Sequence, residues 1–212
     1  MPRGKNARHN LCCGRTFLSS GLIDEAKLEA VRLLEYLSPY VELEVPIVGL
    51  EPSCVFTIKD EFPSLLPGPR AQKLADHVQL LEEYLITEND AGRLNLKFRT
   101  SEPEKVLLHG HCHQKAFDKM DCTIKLLERI PGIEVETINS GCCGMAGSFG
   151  YQAENYEVSM EMAELSLLPS IRQATANEHI AACGTSCRHQ IEHGSGRSVR
   201  PPISLLRHQY LT

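Results

Sequence analysis

The chain has 212 residues, 42% hydrophobic and 23% charged, which suits one ordinary domain or two small ones around a real core and excludes a disordered tail. Its 22 Lys and Arg against 27 Asp and Glu leave a net charge of −5, which argues against a nucleic-acid binder with a basic face. No apolar run approaches the roughly 18–20 residues of a transmembrane segment, and Met1–Asn10 is polar and basic, unlike a secretory signal. The chain therefore reads as cytoplasmic, peripheral to a membrane only through a partner.

In chain order, apolar spacing predicts a helix over Asp24–Leu37 and a strand over Val45–Leu50. Pro63, Pro67 and Pro69 mark Glu61–Arg70 as a loop. Leu74, Val78, Leu81 and Leu85 make one helix face, and Leu94–Phe98 reads as a strand. The polar run Arg99–Lys105 suggests a domain boundary. Beyond it come a strand Val106–His109, a helix face of Ala116, Met120, Ile124, Leu127 and Ile130, and a strand Ile133–Ile138. A helix over Glu154–Leu168 presents Val158, Met162 and Leu165, with its methionine read as core filler, before a last strand His179–Cys183. Strands alternating with helices predict an α/β fold with mostly parallel sheets flanked by helices.

Nine cysteines are the informative residues: Cys12, Cys13, Cys54, Cys112, Cys122, Cys142, Cys143, Cys183 and Cys187. In a reducing compartment clustered cysteine points to metal binding or redox chemistry, and an odd count spoils a fully paired disulfide framework. Two Cys-Cys-Gly triplets, at Cys12–Gly14 and Cys142–Gly144, are each followed by a helix, an apolar run and a further Ser-Cys pair. Ser53-Cys54 aligns with Ser186-Cys187, which sets Leu50 opposite Cys183. This is an internal repeat. Only 11 residues precede Cys12, too few for a counterpart of Cys112, so the first copy, residues 1–100, is truncated at its N-terminus and the second, 101–212, is complete. On this logic the chain is a fragment or one piece of a longer polypeptide.

Parallel sheets place ligands beyond the carboxyl ends of their strands. Cys112, the pair Cys142 and Cys143, and the pair Cys183 and Cys187 each follow a predicted strand, so five sulfurs converge on one sheet edge. Thiolates suit soft metals and iron–sulfur clusters. Structural zinc normally takes four ligands in two short pairs, so five thiols with two adjacent favour an iron–sulfur cluster over zinc. A thiol–disulfide catalyst is the remaining reading. Cys122, within a helix pattern, reads as an inert core thiol. His111 and His113 flank Cys112 and read as hydrogen-bonding neighbours of a cluster or as structural histidines. Arg188 reads as a charge beside it or as a solvated side chain.

The pattern Cys112-x29-Cys142-Cys143-Gly144-x38-Cys183-x3-Cys187 resembles the cysteine-rich CCG domain, which occurs in heterodisulfide reductase and in the iron–sulfur subunits of glycolate, L-lactate and anaerobic glycerol-3-phosphate oxidation. The words His109–Ala116, Cys142–Gly150 and Gly184–Gln190 resemble the C-terminal part of FAD-linked oxidases, of the D-lactate and D-2-hydroxyglutarate dehydrogenase kind. Cys12–Arg15 and Glu51–Cys54 resemble the degenerate first repeat of the same proteins. The resemblance implies two CCG domains and a [4Fe-4S] cluster, non-cubane in the best-understood relatives, held by Cys112, Cys142, Cys143, Cys183 and Cys187. The three residues between Cys183 and Cys187 are one more than the family pattern has. The resemblance further implies an electron-transfer module that receives electrons from a flavin-containing dehydrogenase domain or subunit oxidising a 2-hydroxy acid, with FAD bound only there. A heterodisulfide or thiol reductase subunit and a non-catalytic metal-binding domain are the alternatives.

Overall fold

Residues 11–98 and 104–207 are described by a computed structural model. Met1–Asn10 and most of the expected boundary run Arg99–Lys105 lie outside the described residues. The chain divides into two compact units, residues 1–47 with 56–78, and residues 48–55 with 79–212.

In the first half, α1 (Arg15–Ser19) precedes α2 (Ile23–Glu42), which runs past the expected end at Leu37 and contains Pro39. Ala26, Ala30, Leu33, Leu34 and Val41 form the buried stripe of α2. Short β1 (Ile47–Gly49) and α3 (Pro52–Phe56) follow. The expected proline loop is largely helical: a π-turn over Thr57–Glu61 runs into α4 (Phe62–Leu65), and α5 (Pro69–His77) begins on Pro69. Proline is tolerated in a first helical turn because its missing N–H has no intrahelical partner there.

The continuous helix face expected through Leu74, Val78, Leu81 and Leu85 is interrupted by β2 (Val78–Leu80), which pairs with β1. Lys59 Nζ donates to Val78 O at 2.7 Å and Ala75 O at 3.4 Å, satisfying carbonyls at the end of α5. A new helix, α6 (Leu81–Asp90), is then capped by Glu83, whose carboxylate accepts from Leu80 N at 3.0 Å. Leu94–Phe98 forms no paired strand over 94–97. Phe98 makes a single β-bridge, and Leu96 and Phe98 pack half-buried against the core without a strand ladder over 94–97.

The second unit is built on three parallel strands in the order β4-β3-β5: β3 (Glu104–His109), β4 (Ile133–Thr137) and β5 (His179–Ala182). Val106 pairs with Val135 on one side and with His179 on the other. Between β3 and β4 run α7 (Cys112–Ala116) and α8 (Met120–Glu128), separated at Asp118, whose φ is +56°. That break leaves Ala116 exposed, while Leu127 and Ile130 of the expected face are buried. Between β4 and β5 run α9 (Tyr156–Glu164) and α10 (Leu167–Gln173), and β5 leads into α11 (Thr185–Ser195) and α12 (Pro202–Leu205).

The face expected on α9 is reversed. Val158 and Leu165 are exposed, Met162 is half-buried, and Ser159 and Ala163 are the buried positions. Gln190 of α11 donates to both Ser159 O and Ser159 Oγ at 3.0 Å, so a polar contact orients this helix.

Each face of the sheet is covered. Val106, Leu108 and Ala181 pack with Leu126, Leu127 and Ile130, the latter three on and just after α8. Leu107, Ile180 and Ala182 pack with Leu167, Ile171 and Ile191 of α10 and α11. Alternation along the strands creates the two faces, and covering both is what an α/β layer requires.

Candidate metal centre

Because the three strands are parallel, their carboxyl ends share one edge, and the segments holding Cys112, Cys142, Cys143, Cys183 and Cys187 all leave from it. Side-chain parity then divides the sulfurs. Cys142, Cys143 and Cys187 belong to the cluster that contains Leu107 and Ala182. Cys183 follows Ala182, so it takes the other side of the sheet, that of Ala181 and α8. There its thiol donates to Glu82 Oε1 at 3.7 Å and lies 4.0 Å from Thr123 Oγ1. Burial, then the charge of Glu82, push the Cys183 thiol well above its ordinary pKa.

The remaining four sulfurs, Cys112, Cys142, Cys143 and Cys187, perturb one another in series, with Cys143 Sγ and Cys187 Sγ within 4.8 Å of each other. Cys112 is pushed up by its bond to Cys142 and then by burial. Cys142 is held far down because Cys112 and Cys143 hydrogen-bond to it. Cys143 is pushed up by its bonds to Cys142 and Cys187, and Cys187 is held down by Cys143. Four thiolates crowded together repel one another and cannot coexist without a cation. A metal ion or cluster removes that conflict, and the donor set fits an iron–sulfur group. None of the nine cysteines is in a disulfide.

The turn that presents Cys142 and Cys143 depends on Gly144. Its φ is +94°, and a Cβ there would fall 2.1 Å from Ser159 O. Gly144 N donates to Cys142 Sγ at 3.3 Å. The first triplet has the same local form: Gly14 has φ +78°, Gly14 N donates to Cys12 Sγ at 3.3 Å, and a Cβ would fall 3.1 Å from Ala26 O.

The expected neighbours of the cluster hold the scaffold. His111 is buried at the start of α7, where Nδ1 accepts from His113 N at 3.2 Å and lies 3.9 Å from Cys112 Sγ, while Nε2 shares a hydrogen bond with Ser53 Oγ at 3.1 Å. His113 packs edge-on against it with ring centroids 5.1 Å apart. Arg188 turns back to the end of β5, donating to the carbonyls of Ala182, at 3.0 Å, and Cys183, and to Thr185 Oγ1 at 3.0 Å. Cys122 is half-buried and donates to Lys119 O at 3.0 Å, and burial pushes its thiol up to about 11.

Three contributors were not anticipated from the sequence. His109, the last residue of β3, places a ring nitrogen and the Cys143 and Cys187 sulfurs all within 4.8 Å of one another. Lys115 donates to Ser140 O and, at 3.3 Å, to Gly141 O, just ahead of the cysteine pair. Burial lowers its pKa against the pull of the neighbouring sulfurs. Glu51 Oε2 accepts from Thr185 N at 2.8 Å at the start of α11. Strand parity with Leu107 is the signal that would have found His109.

Residues 106–192 match the cysteine-rich domain family CCG. This segment is a cysteine-rich CCG domain. The chain is 32% identical over 197 residues to a subunit of the anaerobic glycerol-3-phosphate dehydrogenase of Escherichia coli strain K12, covering 92% of this chain and 48% of that protein. It is 28% identical over 187 residues to D-2-hydroxyglutarate dehydrogenase of the same strain, covering 88% of this chain and 18% of that protein. It is 26% identical over 203 residues to lactate utilization protein A of Bacillus licheniformis, covering 90% of this chain and 78% of that protein. The chain thus spans about half of the first of these relatives and under a fifth of the second. Among the described residues, no helix is long and apolar enough to cross a membrane.

Proposed function

We propose that the chain is the iron–sulfur electron-transfer module of an oxidoreductase, with a [4Fe-4S] group held by Cys112, Cys142, Cys143 and Cys187. The observation that carries this reading is the convergence of Cys112, Cys142, Cys143 and Cys187 on the carboxyl edge of a parallel sheet, with the Cys143 and Cys187 sulfurs within 4.8 Å of each other. When bound, such a group supplies reversible one-electron transfer.

The substrates named in the relatives are glycerol-3-phosphate, D-2-hydroxyglutarate and lactate, all secondary alcohols. Oxidising a secondary alcohol to a ketone releases two electrons, and a flavin can take both and release them singly. A flavin-containing dehydrogenase domain or subunit is therefore the proposed electron source, and a hydroxy acid of this kind its substrate. This chain's residues supply the relay. The buried Cys143 and Cys187 exclude water from one side of the site, half-buried Cys112 and Cys142 face outward, and Lys115 sets a positive charge beside the sulfurs.

The matching turns at Gly14 and Gly144 support reading the first half as a partial second CCG repeat. The test of function is anaerobic purification followed by iron and acid-labile sulfide analysis. About four irons and four sulfides per chain are expected, the content of one [4Fe-4S] centre. Stoichiometric zinc without sulfide would overturn the reading.

A further inference from the structure

His109 is 1% exposed, and its two ring nitrogens have unequal surroundings. Nδ1 is 2.9 Å from Ser140 Oγ, and that hydroxyl in turn donates to Ile138 O at 3.4 Å. With Ser140 Oγ accepting from Nδ1, the tautomer protonated at Nδ1 leaves Nε2 as a bare lone pair. Nε2 is buried with no hydrogen bond of ordinary geometry, although the ring helps to hold the neighbouring Cys187 thiol down, and an unfilled lone pair there costs stability unless something else takes it. The potential ligand atoms beside His109 are the sulfurs of Cys143 and Cys187. An imidazole held by a hydrogen bond at one nitrogen and bare at the other is the usual form of a metal-ligating histidine.

Cys183 has the opposite character. The sequence offers it as the fifth ligand, yet it lies on the other face of the sheet, and its thiol is engaged by Glu82 and Thr123.

We propose that His109 ligates the iron centre directly through Nε2, sharing one iron with Cys143 and Cys187, and that Cys183 is not a ligand. The proposal rests on the reading of the site as an iron–sulfur centre. It makes the donor set four sulfurs and one nitrogen. Imidazole in place of thiolate raises the reduction potential of an iron–sulfur centre, because a neutral donor stabilises the oxidised irons less than an anionic one. The centre is thereby tuned to accept electrons more readily than an all-thiolate equivalent.

The test uses the full chain labelled with ¹⁵N-histidine, prepared anaerobically, reduced, and measured by pulsed electron paramagnetic resonance. A strong ¹⁵N coupling is expected in the unsubstituted chain, absent in His109→Ala and in His109→Cys. His109→Cys should retain iron and sulfide at the unsubstituted level, with a lower reduction potential. Cys183→Ala should keep both its iron and its nitrogen coupling. An iron-loaded chain with no strong ¹⁵N coupling, a coupling that survives His109→Ala, or loss of iron in Cys183→Ala would each overturn the proposal while leaving an iron–sulfur centre in place. An unsubstituted chain that takes up no iron and sulfide would overturn the underlying reading and this proposal together.

Discussion

Gly144 gives the sharpest test of how the cysteine pair is positioned. An L-residue in the left-handed region costs roughly 1–2 kcal/mol. That term applies to Gly144→Ala, with φ +94°, and equally to Gly196→Ala, with φ +68°. The surroundings differ. A Cβ at Gly196 meets nothing within 4 Å, whereas at Gly144 it would lie 2.1 Å from Ser159 O and 3.1 Å from Gln190 Nε2. Ser159 O is a backbone acceptor fixed within α9, so the turn must move, at an overpacking cost of about 1–3 kcal/mol. At roughly 2–4 °C per kcal/mol for a chain of this size, Gly144→Ala should melt about 2–12 °C below Gly196→Ala. Gly14→Ala, with Ala26 O at 3.1 Å, should cost less than Gly144→Ala. Thermal unfolding followed by circular dichroism measures the difference, and iron analysis should show loss of metal in Gly144→Ala alone of the three. Equal melting shifts for Gly144→Ala and Gly196→Ala, with equal iron, would refute the claim that close approach to α9 sets the turn.

Cys142→Ser or Cys143→Ser should abolish or convert the cluster, because a serine oxygen is a hard donor poorly matched to this site, whereas Cys12→Ser or Cys13→Ser should leave iron content nearly intact. Iron analysis and visible spectra of the four variants, compared side by side, decide it, and equal loss from both pairs would refute the assignment. Arg188→Ala removes charged hydrogen bonds from the carbonyls of Ala182 and Cys183 at the end of β5 and should destabilise by about 1–2 kcal/mol, readable as a lower urea midpoint. Burial raises the pKa of Glu61 despite Arg15 beside it. A folded-state pKa above the unfolded one means that this contribution is fully present below the unfolded value and is lost as pH rises through the folded value. Glu61→Gln should therefore flatten the decline in stability with rising pH above the ordinary glutamate range, as followed by urea titration at several pH values.

Cysteine chemistry and the parallel-sheet pattern were legible in the residues themselves. The spacing of Cys112, Cys142, Cys143 and Cys187 after apolar runs identifies one sheet edge, because parallel strands all end on the same side. The strands Val106–His109, Ile133–Ile138 and His179–Cys183 agree with β3, β4 and β5 to within two residues at each end. Periodicity failed where a polar contact outweighed it. Lys59 and Glu83 cap the ends that split the expected helix at Val78, and Gln190 grips Ser159 so that α9 buries its small polar side rather than Val158 and Leu165. Such partners lie far apart in sequence, so no local pattern announces them.

The site divides in the same way. Sequence alone counts sulfurs at an edge, but an edge has two faces, and which face each side chain takes depends on where its strand stops. Strand parity sends Cys183 toward Glu82 and His109 toward Cys143 and Cys187. Only the folded sheet, with β3 running to His109 and β5 ending at Ala182, settles that parity, because a shift of one residue in either strand would exchange the two faces.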